Sequence, residues 1–188
     1  MHHQTSPATQ QLIGHQALSH DAIGDFDEAI LVAGSRDYND YEQFRDLLEE
    51  YLIMEFPKDS IIFISGKARS GPDDMIIRWC RENGRAWTEF PADWDDVSVP
   101  GAFVKRNRMG ALYNARAGHM RNALMAEACS RALIFWDCSS PGTKNMIDEA
   151  EKHGIIPKVV LVNRDLNIDK RERGNNDGRE AVRKAPSY

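Results

Sequence analysis

No apolar run in this chain of 188 residues approaches the roughly 20 residues that a membrane-spanning helix needs, so a membrane role is not expected. The first residues lack the charged-then-apolar pattern of a secretion signal. Cysteine is scarce: Cys80, Cys129 and Cys138 lie far apart in sequence without metal-ligand spacing. That usage fits free thiols in a reducing cytoplasm, and it argues against a disulfide framework or a zinc site. The pair His2-His3 is too short to make a metal site. Positive charge is not in excess either. The formal net charge is -5, which excludes a global basic field that would draw the chain to nucleic acid or acidic lipid. The six-residue glycine spacing of the dinucleotide fingerprint and the Walker lysine pattern are both missing, so ordinary NAD or ATP use has no motif behind it. A cytoplasmic protein without metal, cofactor or membrane partner is the expectation.

What is present is an ordinary globular composition, 41% apolar and 28% charged, enough for one domain with a core. Residues 1–27 show no steady period and read as a flexible N-terminal arm. Order begins at Ala29-Ile30-Leu31-Val32-Ala33, a continuous apolar run that ends in Gly34, and such a run reads as a strand buried on both faces. Asn39 or Asp40 can cap a helix reaching about Glu55, in which Phe44, Leu47, Leu48, Tyr51 and Leu52 recur at helical spacing before Pro57. Ile61–Ile64 is a second strand, Asp73 or Asp74 opens a second helix ending at Asn83-Gly84, and Arg85–Phe90 is a third strand. A long basic loop over 91–116 breaks the rhythm. A helix from Ala117 to about Ser130, a strand over Ala132–Trp136, a helix ending at His153-Gly154 and a strand over Lys158–Val162 complete the pattern. From 164 to 188 the chain is charged and reads as a flexible tail. Five unalternating strands between helices predict an α/β, Rossmann-like three-layer domain over 28–163 with a mainly parallel five-stranded sheet.

Such sheets bind ligands beyond the carboxyl ends of their strands, and here those ends carry turns suited to an anion. Gly34-Ser35-Arg36 follows the first strand, Ser65-Gly66-Lys67-Ala68-Arg69-Ser70-Gly71 the second, and Ser139-Ser140-Pro141-Gly142-Thr143 the fourth. Small residues admit a ligand close to the backbone, helix starts offer free N–H groups to phosphate, and Arg36, Lys67 and Arg69 can add charge-assisted bonds. Any one of these turns is first a structural feature. Three on one sheet edge point to a site.

Several segments kept in order carry a family resemblance. They are Val32-Ala33-Gly34-Ser35-Arg36-Asp37; Ser65-Gly66 with Arg69, Gly71 and Asp73; Phe90-Pro91-Ala92-Asp93-Trp94; Ala117-Gly118-His119-Met120-Arg121-Asn122; and Phe135-Trp136-Asp137 leading into Gly142-Thr143-Lys144-Asn145-Met146-Ile147-Asp148. Together, over about residues 29–163, they resemble the YspA/CpYpsA-related branch of the SLOG superfamily, whose wider membership includes the Lonely Guy enzymes and the DNA-processing protein DprA. The resemblance implies a Rossmann-like fold, a nucleotide-type ligand and a bacterial or phage setting. Lonely Guy enzymes cleave the N-glycosidic bond of nucleoside monophosphates with a Gly-Thr phosphate turn, a glutamate three residues beyond the threonine and an arginine on the preceding helix. Gly142-Thr143 matches the turn and Arg121 can match the arginine, but Met146 stands at the glutamate position. A thioether cannot take a proton or carry charge, which leaves Asp73, Arg121 and Asp148 as the catalytic candidates, with Asp37 and Asp93 also on the rim.

The expected ligand site therefore comprises Gly34, Ser35, Arg36, Ser65, Gly66, Arg69, Gly71, Asp73, Arg121, Asn122, Ser140, Gly142 and Thr143. The leading expectation is a binder of a nucleotide or nucleotide-derived phosphate ligand, a sensor or sequestering protein. A hydrolase or transferase at a nucleotide N-glycosidic bond is the alternative. A third reading rests on the basic loop, where Lys105, Arg106, Arg108 and Arg116 are interleaved with Phe103 and Tyr113, as in surfaces that hold a single nucleic-acid strand. The helices beginning near Asp40 and Ala117 are expected to pair two copies into a homo-oligomer.

Overall fold

The computed structural model describes residues 7–56 and 60–163. In chain order the elements are α1 (Pro7–Leu12), a 3-10 turn (His20–Asp25), β1 (Glu28–Gly34), α2 (Tyr41–Glu55), β2 (Ile61–Ser65), α3 (Pro72–Glu82), β3 (Ala86–Glu89), β4 (Val104–Arg106), β5 (Leu112–Asn114), α4 (Ala117–Ala128), β6 (Arg131–Trp136), α5 (Pro141–Lys152) and β7 (Lys158–Leu161). Every helix and strand expected between Ala29 and Val162 is present, with ends within a few residues of the expected ones. The second helix starts at Pro72 rather than at Asp73 or Asp74, because proline at a first helical position gives up no needed N–H.

The main sheet has five strands in the order β3-β2-β1-β6-β7, and all its pairings are parallel. The fold is α/β and Rossmann-like. The continuous apolar runs follow from burial on both faces. Ile30, Val32, Leu133 and Phe135 face Phe44, Leu48 and Leu52 of α2 and Ile76 and Trp79 of α3. Their neighbours Ala29, Leu31, Ala33, Ala132 and Ile134 face Met125 of α4 and Met146, Ile147 and Ala150 of α5. The chain builds outward from β1 through β2 to β3, then crosses to β6 on the other side of β1. The strand order therefore reverses between β1 and β6, which opens a crevice at their carboxyl ends.

Two regions depart from expectation. Within the stretch read as a loose arm, residues from Leu18 onward dock on the sheet edge. Leu18 is buried, its N–H donates to the Trp87 carbonyl at 2.8 Å, and its own carbonyl accepts from Thr88 Oγ1 at 2.9 Å. The edge strand β3 thereby gains a short parallel partner, which covers groups that would otherwise stay open. Residues 1–6 of that arm and the tail from 164 lie outside the described residues. The region 91–116, expected as a loop, contains an antiparallel hairpin of β4 and β5 pairing Val104 with Asn114 and Arg106 with Leu112. Neither face of this ribbon is packed into the core, so no hydrophobic alternation marked it in the sequence. Among the described residues, no helix is long and apolar enough to cross a membrane.

Candidate functional site

The crevice between β1 and β6 is built by close backbone approach. β1 ends at Gly34, where a Cβ would collide with the Phe135 carbonyl oxygen of β6 and lie 2.6 Å from Pro72 Cγ at the start of α3. Only glycine lets three elements meet there. The next residue, Ser35, is buried, and its Oγ accepts the Asp137 N–H at 3.1 Å. The Asp137 carboxylate in turn accepts the N–H groups of Ser139 at 3.0 Å and Ser140 at 2.8 Å, which folds the chain after β6 into the start of α5. Ser140 caps that helix by accepting from the Thr143 N–H at 3.4 Å. The Thr143 hydroxyl also bonds to Ser140 Oγ at 3.0 Å.

The opposite wall comes from α3 and α4. Asp73 lies in the first turn of α3, and Arg121 in the first half of α4. Their side chains are only 7% and 13% exposed, and Arg121 Nη1 stands 3.8 Å from Asp73 Oδ1. Burial pushes the Asp73 carboxyl above its ordinary range, against the pull of Arg121, Arg36 and the backbone N–H groups of Gly34 and Gly66. Burial lowers the Arg121 guanidinium, and the nearby positive charge of Arg36 lowers it further, while Asp73 opposes both. Arg121 also donates to the Gly66 carbonyl oxygen and, through Nε, to Asn122 Oδ1 at 3.0 Å. The Asn122 amide donates onward to Asn145 Oδ1 at 2.9 Å and the Gly142 carbonyl at 3.3 Å. Arg121 and Asn122 thus tie the turn after β2 to the start of α5. A side chain at Gly66 would collide with Arg121 and crowd Asp73, so glycine at that turn is what admits the guanidinium.

A cavity of about 470 Å3 occupies the crevice. It brings together Gly34, Ser35 and Arg36 at the end of β1, Asp73 of α3, Arg121 and Asn122 of α4, and Ser140, Gly142 and Thr143 at the start of α5. A second cavity of about 420 Å3 adjoins it and is lined by Gly66, Lys67 and Arg69 from the turn after β2. Arg36, Ala68, Trp94 and Arg121 line both. Ser65 and Gly71 line neither and act as framework. Ser65 Oγ donates to the Asp73 carbonyl at 2.7 Å and accepts the Lys67 N–H at 3.1 Å. Gly71 takes φ +76°, and a Cβ there would stand 2.8 Å from the Ser35 carbonyl oxygen.

The structure removes one catalytic candidate. Asp148 lines neither cavity and is ion-paired with Lys144 on the exposed side of α5, because five residues of helix turn it away from Thr143. Met146 does reach the crevice, and its side chain is buried. Asp37 lines the crevice, whereas Asp93 is spent on a loop turn that accepts the N–H groups of Asp95 and Asp96. Residue-type reasoning missed Trp94, Asp137 and Gly118, all of which line the crevice. The Phe90-Pro91-Ala92-Asp93-Trp94 segment of the family resemblance was the one signal pointing at Trp94. Among the described residues, no group of three or more His, Cys, Asp or Glu could hold a metal ion.

Residues 29–96 match the family model described as YspA, cpYpsA-related SLOG family. Over this segment the chain is similar to the SLOG family. The SLOG match runs from β1 to the loop holding Trp94, so it covers the first two anion turns, Asp73 and the Trp94 loop. Arg121 and the Ser140–Thr143 turn lie beyond it. No curated protein and no solved structure matches the chain. Similarity to this family points in general to binding or modification of nucleotide-related ligands.

Proposed function

We propose that the crevice binds a nucleotide or nucleotide-derived phosphate ligand, and that the protein works as a sensor of that ligand or sequesters it. The observation that carries this reading is the charge arrangement in the cleft wall. Arg36 lines the cavity beside the nearly buried Arg121, its positive charge disfavours that of Arg121, and the buried carboxylate facing Arg121 is Asp73. A phosphate placed between the guanidiniums relieves that repulsion and accepts charge-assisted bonds. The start of α5 adds the N–H of Gly142, in the first helical turn, on the same cavity wall. Asp37 on the rim suits the hydroxyls of a ribose. Met146 at the position of the Lonely Guy glutamate, with Asp148 on the far side of α5, supports binding over catalysis.

A second reading, hydrolysis or transfer at an N-glycosidic bond, is favoured by Asp73 alone. A carboxyl whose protonated form is favoured by burial, inside a ligand-sized cleft, has the property of a general acid. One experiment separates the two. Thermal shifts are measured with nucleoside mono-, di- and triphosphates, cyclic nucleotides and ADP-ribose derivatives, and chromatography follows released base. Stabilisation without turnover supports the binder, base release supports the enzyme, and no stabilisation by any of them sinks both. Pairing of two copies through α2 and α4 is also proposed. Leu124 of α4 and Ile53 and Met54 of α2 are exposed apolar side chains, and light scattering reading a monomer of 21.3 kDa would refute it.

A further inference from the structure

The four tryptophans differ in what surrounds them. Trp79 and Trp87 are buried in the core beneath α2 and α3, and Trp136 packs against the core beneath α4 and α5. Trp94 remains 40% exposed, on the loop after β3, where it lines both cavities together with Arg36 and Arg121. The indole opens onto a cleft whose walls carry guanidiniums, carboxylates and hydroxyls beside Met125, Pro141 and Met146. It is nevertheless held in place. Its carbonyl accepts the Asn114 N–H at 2.8 Å, which fastens the loop to β5. The ring rests on the start of α4, with Cη2 3.3 Å from where a Cβ on Gly118 would stand, so a larger residue at 118 would press on the indole. The small residues Ala68 and Ala115 on the cavity walls leave room beside it.

We infer that Trp94 is the base-stacking residue of the cleft and that the ligand is a nucleoside phosphate whose base lies against the indole while its phosphate meets Arg36 and Arg121. The inference rests on the phosphate-ligand reading above and adds what that reading leaves open, namely the part of the ligand that is recognised besides the phosphate. An aromatic face stacks on any base and reads no hydrogen-bond edge, so selection among bases is weak, with purines ahead of pyrimidines through their larger ring area.

Calorimetric titration tests this with the four common nucleoside 5′-monophosphates and ribose 5-phosphate, on the wild type, Trp94→Phe and Trp94→Ala, each checked by its melting curve. Trp94→Ala should weaken nucleoside monophosphate binding about tenfold or more, Trp94→Phe should retain most of the affinity, and ribose 5-phosphate should bind all three proteins alike. Equal loss for ribose 5-phosphate and nucleotides makes Trp94 a wall of the cavity and overturns the stacking role. Unchanged nucleotide affinity in Trp94→Ala overturns it too. In both outcomes the phosphate reading survives, whereas a wild type that binds neither ribose 5-phosphate nor any nucleotide overturns both.

Discussion

The crevice and the β4–β5 hairpin are both rich in cations, and they use them in opposite ways. In the crevice, Arg121 is nearly buried, bonded to the Gly66 carbonyl and Asn122 and opposite Asp73. On the hairpin, Lys105, Arg106 and Arg108 stand in solvent beside Phe103, which is 54% exposed, and Met109, which is 93% exposed. Arg106 donates to the Gly110 carbonyl of its own turn at 2.9 Å, and Lys105 Nζ lies 5.0 Å from the centre of the Phe103 ring. A desolvated, oriented charge interacts strongly with an anion of the right shape, whereas solvated charges supply a diffuse, salt-screened attraction. Counting basic residues along the sequence ranks the hairpin first. Burial and fixed geometry rank the crevice first.

The sharpest way to break this ranking is Arg121→Ala. Loss of a charge-assisted bond to phosphate should cost roughly 1.5–3 kcal/mol of binding, about a tenfold to hundredfold loss of affinity by calorimetry. The structure adds an expectation that the sequence did not carry: stability should fall as well. Removing Arg121 leaves Asp73 buried without its counter-ion and frees the Gly66 carbonyl. A variant that binds normally would move the phosphate site elsewhere.

Asp73→Asn sharpens the same comparison through pH. The folded carboxyl is raised above its ordinary value of 3.8, so the folded state holds the proton more tightly than the unfolded one. The contribution of this group to stability is therefore greatest below pH 3.8 and declines as pH rises through the folded value. Chemical denaturation across that range should show a slope that Asp73→Asn removes. An unchanged slope would mean that the pull of Arg121 and the backbone N–H groups balances burial.

A smaller effect belongs to Thr143→Val. The Thr143 hydroxyl is engaged with Ser140 and lies 3.5 Å from Ser35 Oγ. Its loss should cost roughly 0.5–1.5 kcal/mol, shared between the α5 start and the ligand. A melting-point drop with little change in affinity would assign the hydroxyl to the helix start, where the hydrogen bonds place it.

Much of this arrangement was legible in the sequence because its causes are local. A strand covered on both faces must be apolar throughout, so β1, β2 and β6 announce themselves. Glycine, serine and proline after those strands announce the turns, and parallel topology gathers the turns on one edge. What stayed hidden depends on contacts between distant residues. Leu18 is one apolar residue in a polar stretch, and its pairing beside Thr88 leaves no periodic trace. Trp94 reads as a loop aromatic until Gly118 and the two cavities are placed around it. The role of Gly66 is set by a guanidinium from α4 rather than by its own turn.

The smallest expected effect is the one that tests the hairpin. Arg106 lines neither cavity, and its guanidinium is bonded to the turn that Asn107 Oδ1 organises by accepting the N–H groups of Met109 and Ala111. Arg106→Ala should therefore leave the affinity for a nucleoside monophosphate unchanged within about twofold, a difference of about 0.4 kcal/mol. A single solvated cation outside the site contributes only screened attraction. The same variant titrated with a single-stranded oligonucleotide completes the test. If binding to the strand is strong, falls steeply with salt and weakens in Arg106→Ala as much as in Arg121→Ala, the cations of both regions act on one extended ligand. The hairpin is then the outer part of the binding surface, reached from the crevice past Trp94 and Asn114, whose backbone bond joins the two regions. If mononucleotide binding responds to Arg121 and oligonucleotide binding is absent, the solvated charges of the hairpin play no part in the site.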